Sequence, residues 1–266
     1  MERVSVVIPT YNRPGFLREA VDSVVRQSFP NWECLISDDG SSEPADGVFE
    51  ELEALDERIH VIRGRHSGLL GQVRNRALRR ATGAFVAFLD DDDTWREEKL
   101  EAQLRLMESE PRIALTFCRA ERFGERSGLL PARRPPERPT FESLWQENFI
   151  PCSTVLLRRA ILDRVGEFDE RLLVAQDYDL WLRVARVAPI RYQDAMLCRY
   201  RVHAGAMSGM RAQEASALEE IYERLGESWN LSLGLRRSAR RRVARFRTRH
   251  RHSPQPESGL SPGARG

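Results

Sequence analysis

Two periodicities of apolar residues alternate over the first 95 residues of the chain. Short apolar runs predict buried strands, and the segments between them carry apolar residues every three or four positions, which predicts amphipathic helices. Strands that alternate with helices form a mostly parallel sheet with helices on both faces. The predicted strands are 4–8, 32–37, 59–62 and 84–89, and the predicted helices are 14–28, 45–56 and 69–81.

The pattern becomes less regular after residue 95, which predicts a second and smaller sector. An arginine- and proline-rich segment, 125–139, predicts a loop, and 212–225 has helical periodicity. The other predicted helices are 96–109, 159–165 and 177–187, and the other predicted strands lie within 111–124, 154–157, 190–192 and 197–200. The fold class is therefore α/β, a Rossmann-like, mostly parallel twisted sheet flanked by helices.

Composition supports a real core and assigns no partner by itself. The 266 residues are 41% hydrophobic and carry a net charge of +2. The four cysteines are widely separated and lack the spacing of a zinc site, so we expect reduced thiols, as in a cytosolic protein. No apolar run approaches the roughly 20 residues that cross a bilayer. We therefore expect a cytoplasmic protein, peripheral to the inner face of the membrane at most.

Polar segments follow three of the predicted strands. The segments 9–12, 38–42 and 90–93 come directly after the first, second and fourth strands. Ligands of parallel sheets bind outside the carboxyl ends of the strands, so these segments predict one polar, acidic crevice.

The last of these segments consists of four consecutive aspartates, Asp90 to Asp93. Their mutual repulsion is tolerable where a positive group lies among them. A divalent cation with oxygen ligands is the obvious candidate, and a cation at the mouth of a sheet commonly holds a phosphate. The alternative is a solvated acidic loop that caps a helix beginning at residue 96, because Asp and Thr are good N-caps.

Five segments, taken in order, resemble motifs of family 2 glycosyltransferases. The resemblance covers roughly residues 3–208, and it implies a GT-A fold, a nucleoside-diphosphate sugar donor, Mg²⁺ or Mn²⁺, and inversion at the anomeric carbon. The segments are Val-Val-Ile-Pro-Thr-Tyr-Asn at 6–12, Ser-Asp-Asp-Gly-Ser at 37–41, Arg-Asn at 74–75, Phe-Leu-Asp-Asp-Asp-Asp-Thr-Trp at 88–95 and Asp-Tyr-Asp-Leu-Trp-Leu-Arg at 177–183.

With this resemblance, the predicted organisation is a GT-A domain over 1–225. Its nucleotide-sugar-binding half is 1–95, and its acceptor-binding half is 96–225. A basic helix or tail follows at 226–252. The last segment, 253–266, is rich in Ser, Pro and Gly and is expected to be disordered.

The resemblance also implies roles for the acidic segments. Asp92 would bind the metal directly, while Asp90 and Asp91 would reach the ribose or a metal-bound water. Asp39, beside Asp38 in the nucleotide site, would accept a hydrogen bond from the base, typically from uracil N3–H. The alternative for this second pair is an ordinary Asp-Asp-Gly turn.

Other positions would complete the donor site. Pro9, Thr10 and Tyr11 would sandwich the base. Arg74 would approach the phosphates, with a helix N-terminus nearby; the alternative is a solvated helix arginine.

Asp177 is the predicted catalytic base, because an acceptor hydroxyl must lose its proton as it attacks. Many family members have Glu-Asp here, whereas this chain has Gln176 before Asp177. The alternative is that Asp177 is a helix N-cap. In the segment after the last strand, His203 could ligate the metal and Arg201 could neutralise a phosphate, unless His203 is an ordinary surface histidine.

Aromatic side chains could line an acceptor cleft, since sugars stack on aromatic faces. The candidates are Trp145, Phe149 and Trp181, and core packing is the favoured role for Trp181.

The segment 236–252 contains nine arginines, two histidines and no acidic residue. Three interpretations are open: a solvated helical end, a site for anionic lipid, and a nucleic-acid site. Aromatic residues are sparse there, which disfavours base stacking and makes nucleic acid the least favoured partner.

The favoured function is a metal-dependent inverting glycosyltransferase. It would transfer a sugar from a UDP- or dTDP-sugar to a hydroxyl of a glycan or lipid-linked acceptor in polysaccharide or cell-envelope synthesis. One alternative is a catalytically silent GT-A module that only binds nucleotide. Another is a metal-dependent nucleotidyltransferase, which would usually have a glycine- and lysine-rich phosphate loop that this chain lacks.

Overall fold

The computed structural model describes residues 2–42, 45–203 and 211–249. The chain divides into two compact units, Met1–Met210 and Arg211–Gly266. Within the described part of the first unit, nine strands form one sheet. Their order is β3 (Ile59–Arg63), β2 (Trp32–Asp38), β1 (Val4–Thr10), β4 (Phe85–Phe88), β8 (Val155–Arg158), β6 (Leu115–Gly124), β9 (Ile190–Val202) and β5 (Thr94–Trp95), with β7 (Gly128–Leu130) paired to β6.

The first half of the sheet is parallel, as the alternation of strands and helices predicts. Strands β3, β2, β1 and β4 pair in parallel, so their carboxyl ends meet at one edge. The strands are β1 Val4–Thr10, β2 Trp32–Asp38, β3 Ile59–Arg63 and β4 Phe85–Phe88, and the helices are α1 Pro14–Val25, α2 Asp46–Leu55 and α3 Leu70–Leu78.

The second half of the sheet is mixed. Strand β8 runs antiparallel to both β4 and β6, while β9 runs parallel to β6 and antiparallel to β5. The elements are β5 Thr94–Trp95, α4 Lys99–Ser109, β6 Leu115–Gly124, β7 Gly128–Leu130, α5 Phe141–Gln146, β8 Val155–Arg158, α6 Leu162–Val165, α7 Gln176–Val187 and β9 Ile190–Val202.

Two local predictions in this half are wrong. The strands predicted at 190–192 and 197–200 are one strand, β9, because register shifts opposite Arg119 keep it paired with β6 through its polar middle. The predicted loop 125–139 contains the short strand β7, which pairs with β6. In both cases pairing with a neighbouring strand overrides the local polarity of the sequence.

The core explains why the strand ends are held firmly. Every residue of β1, β2 and β4 is buried, as expected for a parallel sheet covered on both faces.

All four cysteines are buried and unpaired, which agrees with the expected thiols. Asn75 on α3 links the two halves, because its side-chain amide bonds both the backbone N–H and the carbonyl of Phe168.

The second unit, as far as it is described, is a helical hairpin. Helix α8 spans Arg211–Ser228 and α9 spans Leu233–Arg249. Residues 250–252 of the basic segment and the whole of 253–266 lie outside the described residues. In the described part of the chain, no helix has both the length and the apolar character needed to span a membrane.

Candidate active site

The carboxylates of Asp91 and Asp92 lie where β4 ends, beside the end of β1. Asp91 Oδ2 accepts a hydrogen bond from Thr10 Oγ1 at 2.8 Å. One guanidinium nitrogen of Arg13 lies 3.4 Å from Asp91 Oδ1 and 3.0 Å from Asp92 Oδ2. Burial and the charge of Asp92 raise the pKa of Asp91 to about 7, although Thr10 and Arg13 act in the opposite direction. The expected repulsion is therefore present, and a positive side chain that sequence analysis missed lies among the acids.

Asp93 has a different environment from its neighbours in the quartet. Its carboxylate accepts hydrogen bonds from Ser153 Oγ at 2.6 Å and from the backbone N–H of Arg201 at 2.8 Å. Ser153 Oγ in turn accepts one from the backbone N–H of Asp90 at 3.1 Å. Burial, with the charges of Asp92 and Asp90, raises the pKa of Asp93 well above its usual range. Asp93 therefore fixes the aspartate segment against β9.

The structure brings Asp92 and His203 together, although they are 111 positions apart in the chain, with Asp92 Oδ2 lying 3.0 Å from His203 Nε2. Among the described residues, no group of three His, Cys, Asp or Glu side chains could hold an ion by itself. Mg²⁺ is commonly held by one or two protein ligands and completed by substrate phosphates, and carboxylate oxygens such as those of Asp92 suit Mn²⁺ as well. The pair therefore fits a divalent cation that arrives with a diphosphate.

Arg201 lies beside this pair but is engaged elsewhere. Its guanidinium carbon is 4.7 Å and 4.4 Å from the ring centroids of Phe16 and Phe123. Its Nε donates to the backbone carbonyl of Asp92 at 2.8 Å, and an Nη is 2.5 Å from Glu19. Arg201 thus holds the backbone of the aspartate segment. A contact with phosphate stays a prediction and would require the guanidinium to leave Glu19.

The second acidic pair is bound to backbone amides. The carboxylate of Asp38 accepts a hydrogen bond from the N–H of Ser41 at 3.1 Å. That of Asp39 accepts hydrogen bonds from the N–H groups of Ser67 and Gly68, at 3.0 and 2.8 Å, and from Ser67 Oγ at 2.9 Å. Asp39 therefore orders the loop after β3. Its contact with a nucleotide base stays a prediction, for which few acceptor positions on the carboxylate remain.

An aromatic pair lies at the ends of β1 and β3. The ring of Tyr11, which is 41% exposed, stacks on His66 with 4.1 Å between centroids and 21° between planes. His66 Nδ1 is 3.1 Å from Asp39 Oδ2. Pro9 is buried within β1, opposite Ser37 of β2. Sequence analysis singled out Tyr11 and Pro9 but missed His66. The loop 65–68 reaches Tyr11 through its hydrogen bonds to Asp39, and these contacts are not visible in the sequence.

Arg74 on α3 is a deeply enclosed charge of the crevice. It is 1% exposed and forms an ion pair with Asp90, so the alternative of a solvated helix arginine is wrong. Its Nε and one Nη lack partners among the described residues. Burial lowers the pKa of Arg74, but Cys152, Asp90 and Asp177 together raise it, and the pKa lies above its usual value. A buried guanidinium with two unused donors is suited to an anion.

Asp177 lies in the first turn of α7. The helix begins at Gln176, and its N-cap position is occupied by Ala175, whose φ is 60°. The N-cap interpretation of Asp177 is therefore wrong. Asp177 Oδ1 accepts a hydrogen bond from the N–H of Tyr178 at 2.7 Å. Burial raises the pKa of Asp177, although Arg74 and the Tyr178 amide oppose it. A raised pKa makes a carboxylate a better proton acceptor near neutral pH.

Residues around Asp177 are mainly structural. Asp179 is buried and pairs with Arg183 at 2.8 Å. Gln176 is also buried, and its Oε1 has no partner among the described residues. Trp181 is fully buried, which confirms its core role. Trp145 is equally buried, so its expected place in an acceptor cleft is wrong.

Known proteins with similar sequences identify the family of this chain. The family model described as "Glycosyl transferase family 2" matches residues 5–166. TuaG of Bacillus subtilis, which carries the provisional name of a teichuronic acid biosynthesis glycosyltransferase, is 31% identical over 225 residues, or 84% of this chain and 88% of TuaG. WfgD of Escherichia coli, named UDP-Glc:α-D-GlcNAc-diphosphoundecaprenol β-1,3-glucosyltransferase, is 30% identical over 86% of this chain and 84% of its own.

Solved structures agree on the fold. Staphylococcus aureus TarS 1–349 in complex with UDP-GlcNAc is similar over 93% of this chain and 72% of its own, with 21% identity and a TM-score of 0.72. The mannosyltransferase PcManGT of Pyrobaculum calidifontis, solved with GDP-Man and Mn²⁺, is similar over 96% of this chain and 76% of its own, with 16% identity and a TM-score of 0.68. The chain thus has the GT-A fold and belongs to glycosyl transferase family 2.

Proposed function

We propose that this glycosyltransferase is an inverting, metal-dependent enzyme that transfers a sugar from a UDP-sugar to a hydroxyl of a lipid-linked glycan of the cell envelope. The observation that carries the proposal is the convergence of Asp177, Asp90 and the buried Arg74 in one crevice. Within this group, Asp177 can accept a proton, and Arg74 can bind an anion.

Displacement of a nucleoside diphosphate leaves positive charge on the sugar ring and negative charge on the departing phosphate. Asp177 would accept the proton of the acceptor hydroxyl as that oxygen attacks. The two unpaired donors of Arg74 would bind a phosphate oxygen. Attack on the face opposite the leaving group inverts the anomeric carbon.

Asp92 and His203 would hold the divalent cation. When bound, Mg²⁺ or Mn²⁺ would act as a Lewis acid toward the leaving diphosphate. In the free protein, Arg13 lies against Asp92, so a cation would take over the role that this arginine has there. Asp90 remains a candidate ligand, although its carboxylate is paired with Arg74.

The names of the relatives support the proposed donor and acceptor. WfgD is named for UDP-Glc and a diphosphoundecaprenol-linked acceptor, and TarS has been solved with UDP-GlcNAc. TuaG is named for a cell-envelope polysaccharide. We infer a UDP-sugar and a lipid-linked acceptor for this chain, and hence activity at a membrane surface.

A thermal-shift panel of UDP-, GDP- and dTDP-sugars, with Mn²⁺ or with EDTA, tests the donor and the metal together. A ligand at about 100 times its Kd stabilises by about 2.7 kcal/mol, which corresponds to a shift of about 5–10 °C for a protein of this size. We expect that shift for UDP-sugars with Mn²⁺ only.

The variant Asp92→Ala should lose the Mn²⁺-dependent part of the shift, while the matched control Asp163→Ala, at an exposed position of α6, should keep it. An equal shift in EDTA would remove the metal from the proposal. A thermal shift with GDP-sugars alone would show that the donor is a GDP-sugar and not a UDP-sugar.

A further inference from the structure

The α9 helix (Leu233–Arg249) carries charge of a single sign. It contains eight arginines and no acidic residue. Its partner in the hairpin, α8, contains five glutamates. The proposed catalytic site uses none of this charge, since its residues belong to the first unit.

One face of α9 is used for packing. Ala239 and Val243 are buried, and they lie on the same side of the helix because they are four positions apart. Three arginines at the border of this face hold the hairpin together. Arg236 donates to the backbone carbonyls at 226 and 231, Arg242 donates to the Tyr222 hydroxyl, and Arg247 pairs with Glu219.

The opposite face of α9 consists largely of exposed arginines. We name it the arginine face and define it by Arg237, Arg240, Arg241 and Arg245, all of which are exposed. No ion-pair partner is recorded for these four side chains among residues 2–42, 45–203 and 211–249. Spacings of three and four residues place them side by side along the helix surface.

Such a face carries a free-energy cost. Like charges at positions i and i+4 destabilise a helix, and Arg237, Arg241 and Arg245 form two such pairs. A negatively charged surface alongside the helix would remove the repulsion. A flat array of phosphate groups suits a straight row of guanidinium groups better than a single small anion does, because all four side chains can be neutralised at once.

We propose that the arginine face docks the protein onto anionic phospholipid. The inference deepens the proposed function and rests on it, since a lipid-linked acceptor is presented at a membrane. Each arginine near an anionic surface contributes enough attraction for about a fivefold change in affinity. Four such residues give reversible surface attachment, which lets the enzyme leave one acceptor and reach another.

Anionic lipid is favoured over nucleic acid by the composition of the face. Binding of single strands relies on aromatic platforms for the bases, and the only aromatic residue of α9 is Phe246, which is half-buried. The attraction therefore depends on charge density alone.

The test is sedimentation of the full-length protein with vesicles of phosphatidylglycerol and phosphatidylcholine in equal parts. Vesicles of phosphatidylcholine alone are the lipid control. We expect binding only to the anionic vesicles, and its loss as salt rises from about 0.1 M to about 1 M, where the screening length falls from about 10 Å to about 3 Å. The double variant Arg237→Gln/Arg241→Gln should bind about 25-fold more weakly.

The matched control is Arg80→Gln/Arg112→Gln, which removes the same charge from exposed positions of the first unit and should bind as the wild type does. Equal binding by the two double variants would overturn the proposal, as would binding to neutral vesicles. Tighter binding of a mixed-sequence DNA duplex than of anionic vesicles would assign the face to nucleic acid instead. The sedimentation assay contains no donor or acceptor, so an absence of vesicle binding would not bear on the proposed function. Turnover with a soluble acceptor tests that function separately.

Discussion

Two acidic groups lie at the same edge of the sheet, and the main partners of their carboxylates differ. The carboxylates of Asp38 and Asp39 accept hydrogen bonds from backbone amides and a serine hydroxyl, and Asp39 also lies 3.1 Å from His66 and 3.8 Å from Arg76. Those of Asp90, Asp91 and Asp92 face Arg74, Arg13 and His203.

The two groups differ in whether a ligand can replace the partners of their carboxylates. A neutral amide in a loop cannot leave its carboxylate without unfolding that loop. An arginine or histidine side chain can move aside when a cation or a phosphate takes its place. The first group therefore fixes backbone, while the second is available for chemistry, although both consist of aspartates at strand ends.

The largest effect should come from Asp177, which interacts electrostatically with Arg74 and Asp90 of the second group. Asp177→Asn removes the proposed base and should lower kcat by about 10²- to 10⁴-fold. Nucleotide affinity should change little, because Asp177 is assigned to the acceptor. Steady-state rates and titration with the nucleotide would measure the two quantities. Retained turnover would assign the base elsewhere, and a comparable loss of nucleotide affinity would make Asp177 a donor-site residue.

A smaller effect, on stability, should separate the two acidic groups. Asp39→Asn replaces an acceptor by an amide donor that faces the N–H groups of Ser67 and Gly68, and it should cost about 1–3 kcal/mol of unfolding free energy. The same change at Asp92 removes one of several repelling charges and should be neutral or slightly stabilising. Urea unfolding in EDTA compares the two variants. The contrast between the groups is lost if both variants unfold at the same midpoint.

Measured per pH unit, the smallest effect is a dependence of the unfolding free energy on pH in the metal-free protein. The pKa of Asp91 is about 7 in the folded state against 3.8 unperturbed. Between these values the folded state retains a proton that the unfolded state has lost, so the unfolding free energy should fall as pH rises through this window. The slope is at most about 1.4 kcal/mol per pH unit for one group.

Urea unfolding at several pH values in EDTA measures this slope, and Asp91→Asn should show a shallower one. Addition of Mn²⁺ should also reduce it, because a bound cation stabilises the ionised carboxylate. An unchanged slope in Asp91→Asn would show that the proton is held elsewhere, for instance on Asp93.

Much of the fold is determined by the sequence. Apolar periodicity is a local property, so the alternation of strands and helices up to β4 could be predicted from it. The irregular part of the sheet could not, because β7 and the middle of β9 are strands only through their pairing with β6. The sequence also located the crevice, since parallel strands must end at one edge.

Only the tertiary structure decided what each acid does. Four adjacent aspartates are chemically equivalent in the sequence, yet Asp93 is bound by Ser153 and by the backbone of Arg201, while Asp92 meets His203. These partners come from segments that are 60 to 111 positions away. A side chain's role depends on burial and on the charges beside it, and both arise from contacts between distant segments that no local pattern encodes.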